Sequence, residues 1–250
     1  MKIIKTNRNI WAFLLITSFT IAACGGGGSG SSGVDSALTR IANSTVSGCF
    51  VEDYPDPVNS PYVLPYQIGM SFLVNNGNCG ISRTHQPNCS VVNSDGSVTN
   101  CGDARYSYDW AMPIGIVVTA ARGGTVLLTE DRFSNATNGG DEVNFVNIEH
   151  DDGTVATYVH FSPNSILVSV GDIVSKGDAL GMSGSSGFTD PPGTNGTSNP
   201  HLHLQIFEPP FVNCNPNDQS GCITEPITFS NANPLDKPLI QGRTYEAVPF

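Results

Sequence analysis

The sequence predicts a single all-β domain of small-barrel type with long loops around a cleft. Three observations carry that expectation. From Pro61 onward, short runs of Val, Ile, Thr, Tyr and Phe are separated by Gly, Asn, Asp and Pro, the punctuation of strands and turns. No segment keeps a 3.6-residue apolar period over three turns, so helix should be scarce. The run Val168–Gly181 sets glycines between β-branched residues, as the tight turns of a small barrel require.

The chain opens with an address. Lys2, Lys5 and Arg8 precede a mostly apolar stretch, Ile10–Ala22. That is too short for a membrane span of about 20 residues and suits a signal peptide. Ile21-Ala22-Ala23-Cys24 resembles a bacterial lipobox, in which Cys24 is acylated and becomes the mature N-terminus. Gly25–Gly33 reads as a flexible tether. Gly25 after the cysteine resembles lipoproteins sorted to the Gram-negative outer membrane, facing the periplasm. The expected organisation is a signal peptide over 1–23, tether and irregular lead-in over 24–60, and a β-domain over 61–250 with a C-terminal extension from about 208.

Within the domain the expected strands are Ile116–Ala121, Thr125–Glu130, Val143–His150, Thr154–Phe161, Ile166–Val168, Ala179–Met182 and His201–Phe207. Two polar loops, Thr84–Arg105 and Ser183–Pro200, are long enough to build a cleft on that scaffold.

Charge narrows the partners. Against 22 Asp+Glu stand 11 Lys+Arg, and losing residues 1–23 leaves 8, a net charge of −14. A surface so acidic, with no basic stripe, argues against nucleic acid. Besides Cys24 there are six cysteines, Cys49, Cys79, Cys89, Cys101, Cys214 and Cys222. An even number in an exported chain suggests disulfides, with Cys89–Cys101, Cys214–Cys222 and Cys49–Cys79 as pairs among 15 connectivities.

The five histidines are His85, His150, His160, His201 and His203. Pro200–Phe207 alternates, so His201 and His203 share one strand face while Leu202, Leu204 and Ile206 face the core. Two imidazoles about 7 Å apart on one face can serve one metal in different ways. In Thr154–Phe161, side-chain type puts Val155, Val159 and Phe161 in the core and Ala156, Tyr158 and His160 opposite. Asp109 lies between Tyr108 and Trp110 and faces away from them; aspartate is depleted in strands, so its placement needs a reason.

Tyr106–Val126, which contains Asp109, resembles the first metal-binding motif of the M23, or lysostaphin/LytM-like, zinc endopeptidases. Tyr158-Val-His160-Phe161, Gly171-Asp-Ile-Val174, Gly181–Gly187 and His201-Leu-His203-Leu204 follow in that family's order, over roughly Pro61–Phe207. The resemblance implies a barrel-sandwich of the duplicated hybrid kind and one Zn2+ per chain. Asp109 and His203 look like its ligands, and His160 and His201 like the catalytic pair that positions and deprotonates water. It implies cleavage of peptide cross-links in peptidoglycan, the substrate a lipid-anchored envelope protein meets, with other envelope proteins as regulators. Many relatives carry a third ligand, His, four residues before the Asp; that position here is Arg105. The nearest upstream histidine is His85, 24 residues before Asp109. It becomes the candidate ligand if Gln86–Ala104 loops out, with a turn at Asn93–Gly96 and a Cys89–Cys101 bridge at the neck. His150 reads as structural.

Two other readings compete. A non-catalytic member would bind peptidoglycan or activate an amidase, but such members typically lack ligands or catalytic histidines. The Gly171–Gly181 pattern also resembles biotinyl or lipoyl carriers, yet Lys176 has no neighbouring Met.

Overall fold

The computed structural model describes residues 50–79, 85, 89–92, 95–135, 141–189, 199–209 and 222–250, with backbone only for 89–92 and 98–102. The expected signal peptide, Cys24, the tether, Cys49 and Cys214 lie outside the described residues.

Thirteen strands are described: β1 (Ser71–Asn76), β2 (Cys89–Val92), β3 (Val98–Gly102), β4 (Tyr108–Trp110), β5 (Val117–Thr119), β6 (Gly124–Glu130), β7 (Phe145–Glu149), β8 (Val155–Val159), β9 (Ile173–Val174), β10 (Ala179–Met182), β11 (Leu202–Phe207), β12 (Ala232–Asn233) and β13 (Thr244–Ala247). Among the described residues, helix is confined to two 3₁₀ turns, Val51–Asp53 and Pro57–Asn59. The fold is all-β, as the punctuation and the missing helical period require.

Nine strands form one antiparallel sheet in the order β12-β13-β1-β4-β11-β8-β7-β6-β9, while β5–β10 and β2–β3 make two small sheets. The order is linear from β12 to β9, so among the described residues the sheet is open and does not close into the expected barrel. Ile166–Val168 is not a strand either. Ile166 and Val168 pack against the core, and Leu167 N–H bonds Leu180 O, but no ladder follows.

The turns explain the glycine spacing. Ser169-Val-Gly-Asp172 and Ser175-Lys-Gly-Asp178 repeat one device, in which the Asp carboxylate accepts the Ser N–H and the Ser carbonyl accepts the Asp N–H. The glycines have φ of 93° and 90°, a region that costs other residues a Cβ clash. Gly124 answers a different demand: a Cβ there would stand 2.2 Å from Glu149 O in β7.

One core joins the sheets. Tyr108, Trp110, Tyr158, Leu202, Leu204 and Ile206 from the long sheet meet Val118, Ala120 and Leu180 from the small one. Ile227, Phe229, Ala232, Leu239, Tyr245 and Ala247 enter the same core, so residues 227–247 are built into the fold. Phe229 stands edge-on to Tyr108 and Trp110 at 5.5 and 5.7 Å, pairs worth about 0.5–1.5 kcal/mol each beyond their buried area. No helix among the described residues is long and apolar enough to cross a membrane.

The face assignment of β8 is corrected. Ala156 and Tyr158 lie in the core, and Tyr158 OH accepts the Ala121 N–H. Residues 155–159 are all buried, so side-chain type offered no contrast between the faces. Register decides it. Val159 pairs with His203 and Thr157 with Gln205, while Tyr158 pairs with Leu204.

Candidate metal centre and histidine pair

Alternation in two adjacent strands builds half of the site. In β4 and β11, Leu202 pairs with Trp110 and Leu204 with Tyr108, all core residues, which leaves the intervening pair, Asp109 and His203, on the opposite face. His203 Nδ1 lies 2.8 Å from Asp109 Oδ1. Asn76, the end of β1, donates Nδ2–H to Asp109 Oδ2 at 3.2 Å.

His85 completes the group from outside the sheet. Its Nδ1–H donates to Gly77 O at 3.0 Å, and its Nε2 lies 3.1 Å from Asp109 Oδ2. The chain between His85 and Asp109 is spent on the β2–β3 hairpin, in which Cys89 opposes Gly102 and Gly96 turns with φ 83°. The side chains of Cys89 and Cys101 lie outside the described residues; Cys79 and Cys222 are buried. Arg105 forks onto the Asp103 carboxylate, with Nη2–Oδ2 at 2.6 Å.

His203 Nε2 lies 3.1 Å from Gln205 Oε1, and with the ring proton on that nitrogen Nδ1 presents a lone pair beside the Asp109 carboxylate. With Nδ1 of His85 used on Gly77, its Nε2 is bare too, and although buried it makes no hydrogen bond. Three electron-pair donors, from His85, Asp109 and His203, thus lie within 4.8 Å of one another. Lone pairs so close repel unless a cation stands among them. Two imidazole nitrogens and one carboxylate oxygen form the donor set of a catalytic zinc site, so the residues fit that ion. Burial alone would raise the Asp109 carboxyl, but the charges of His85, His201 and His203 outweigh it and hold the group well below the usual carboxylate range.

A second pair flanks this group. His201, just before β11, donates Nδ1–H to Asn199 O at 2.8 Å, and His160, just after β8, donates Nδ1–H to Ser186 O at 2.7 Å. Their rings stand 4.4 Å apart, and His201 Nε2 is 3.8 Å from Asp109 Oδ1. Continued alternation would have turned His160 into the core beside Tyr158. Instead it has φ 73°, a conformation costing a non-glycine residue about 1–2 kcal/mol, which breaks the alternation and brings the ring to the face of His201 and His203. Burial, reinforced by His201 and His203, pushes the His160 imidazole well below its ordinary range.

The structure therefore gathers His85, Asp109, His160, His201 and His203 in one place. His150 stands apart, its Nδ1–H on Gly123 O at 2.8 Å. Sequence reasoning missed Asn76, Gln205, Asn144 and Ser186. Gln205 had a signal, being the next residue on the His201–His203 face; the others had none.

Residues 104–218 match Peptidase family M23. Asp109, His160, His201 and His203 lie within that match, while His85 precedes it. The chain is similar to the peptidoglycan DD-endopeptidase ShyA of Vibrio cholerae, 35% identical over 99 residues, covering 40% of this chain and 19% of that protein. It is similar to lysostaphin of Staphylococcus simulans, 33% identical over 117 residues, covering 47% of this chain and 21% of that protein. Against the structure of the lysostaphin catalytic domain from Staphylococcus simulans, identity is 27%, coverage 64% of this chain and 83% of the other, and the TM-score 0.33. The chain spans a quarter or less of the length of the curated relatives it matches.

Proposed function

We propose that this protein is an active zinc-dependent endopeptidase that hydrolyses peptide cross-links of peptidoglycan. The observation that carries the reading is the convergence of bare donor atoms from His85, Asp109 and His203 beside the His160–His201 pair. His85 Nε2, Asp109 and His203 Nδ1 would hold the ion. When bound, zinc supplies a Lewis acid that polarises a carbonyl and makes water acidic near neutral pH.

The protein's own groups do the rest. Gly77 O and Gln205 Oε1 keep the ligand nitrogens aimed inward by holding the opposite ring N–H. Ser186 O and Asn199 O do the same for His160 and His201, leaving each Nε2 as a proton acceptor. One of these takes a proton from the attacking water and returns it to the leaving amide nitrogen, and the other orients the water.

The surrounding biology follows from the sequence. Residues 1–23 are a signal peptide, Cys24 is lipidated, and the protein is anchored in the envelope, at the Gram-negative outer membrane, within reach of peptidoglycan and envelope regulators. The remaining cysteines form disulfides in that oxidising compartment.

The test uses the purified mature protein and isolated sacculi. One zinc per chain, and release of new amino groups that a chelator stops, are expected. His203→Ala and His85→Ala should lose both the metal and the activity. Full zinc occupancy with unchanged turnover in His85→Ala would remove that residue from the site, and a zinc-loaded protein releasing no amines would overturn the enzyme.

A further inference from the structure

We propose that Asn144 is the positioning residue for His160, holding its backbone in the left-handed turn and fixing the acceptor that orients its ring. This rests on the reading of His160 as a member of the proton-transferring pair.

Asn144 precedes β7 and is fully buried, and each of its polar groups is committed to the same turn. Its carbonyl accepts the N–H of His160 at 3.0 Å and of Phe161 at 3.3 Å. Its Nδ2 donates to Phe161 O at 3.0 Å and to Phe133 O at 2.7 Å, and its Oδ1 accepts the Phe133 N–H at 2.9 Å. Its own N–H donates to Ser186 Oγ at 3.0 Å, and that hydroxyl donates to Phe161 O at 2.9 Å. Ser186 is also the residue whose carbonyl takes the His160 Nδ1–H. One side chain and its peptide groups therefore grip the residue that turns, the residue after it, and the residue that anchors the ring.

The need for such a grip follows from the topology. In β8, alternation places residue 160 on the core side, and only the positive φ carries the imidazole to the cleft. Histidine enters that conformation more often than most non-glycine residues, yet it remains uncommon. The backbone must be held there from outside, and Asn144 makes the bonds that do so. Loss of its amide donors would leave Phe161 O held by Ser186 Oγ alone and let the turn relax toward extended geometry, withdrawing Nε2 from the reacting groups. A displacement of about 1 Å costs on the order of 10² in rate.

The experiment uses the zinc-loaded mature protein with Asn144→Asp, which keeps the shape and the Oδ1 acceptor but removes both Nδ2 donations, and with Ser186→Ala as a milder change. His160→Ala runs in parallel. We expect zinc stoichiometry to be unchanged in all three, kcat to fall roughly 10–100-fold in Asn144→Asp and several-fold in Ser186→Ala, and KM to stay within about threefold. A structural readout accompanies the kinetics: the hydrogen-bonded Nδ1–H resonance of His160 in ring-labelled protein should broaden or vanish in Asn144→Asp. Wild-type kcat and an intact Nδ1–H signal in both Asn144→Asp and Ser186→Ala, with turnover abolished in His160→Ala, would overturn the proposal. Full turnover in His160→Ala would instead take down the reading of His160 itself. If Asn144→Asp does not fold, Ser186→Ala decides the matter alone, and wild-type kcat with an unchanged signal there counts against the proposal.

Discussion

His150 and His160 stand at opposite ends of one hairpin, β7–β8, and share most local features. Both are buried, both donate Nδ1–H to a backbone carbonyl, and burial pushes both imidazoles below their ordinary range. They differ in what the second nitrogen meets. His150 Nε2 is buried without a hydrogen-bond partner, and its ring lies edge-on to Tyr62 at 5.6 Å. Around His160 stand His201 and His203, with Asp109 beyond them. An anchored, neutral, buried imidazole is a packing unit. It becomes part of a site through the groups that converge on its free nitrogen.

That contrast can be broken most directly in turnover. His160→Ala should lower kcat by roughly 10² to 10⁴ with zinc retained, the usual contribution of a general acid or base. His150→Leu should leave kcat/KM within about twofold. Equal losses in both would erase the distinction.

Stability should not separate the two. His150→Leu strips the Gly123 carbonyl of its donor and His160→Ala strips that of Ser186, and an unsatisfied buried acceptor costs about 1–3 kcal/mol, readable in each as a lower denaturation midpoint.

A smaller effect sharpens the comparison through pH. The folded-state pKa of His150 is depressed, by burial first, so the unfolded chain takes up a proton near pH 6.5 that the folded chain refuses. Its contribution to stability is complete above that value and is lost as pH falls toward the folded pKa. Arg122 and Asp152 keep their charges and Tyr62 stays neutral across this window, so the imidazole is the group that changes. Melting temperature should therefore drop between pH 7.5 and 5 by less in His150→Leu than in the parent protein. Parallel curves would show that His150 does not titrate there.

How much of this was legible depended on periodicity. Asp109, His201 and His203 could be read because β4 and β11 alternate sharply between aromatic or aliphatic residues and polar ones. In β8 both faces are buried, so composition carried no sign of which face was which. The position of His160 was beyond any periodic reading, since it arises where the period fails. His85 could be read only on the condition that Gln86–Ala104 loops out, because the hairpin between it and Asp109 puts distance in sequence where there is none in space. The edge strand β12 and its neighbour β13, of two and four residues, are too short to leave a pattern.

The place of β1 between β13 and β4 carries a consequence for timing. Asn76 and the Gly77 carbonyl, which brace Asp109 and His85, sit on a strand whose other edge is filled by residues 244–246, and Gly242 N–H closes onto Val74 O. A chain emerging from a ribosome reaches those residues after every member of the histidine–aspartate group. Until they arrive, β1 has one bare edge and the shelf under His85 is unsupported. The group is therefore braced only once residues 242–246 have emerged, and a shorter nascent chain holds the donor atoms without the frame that sets them.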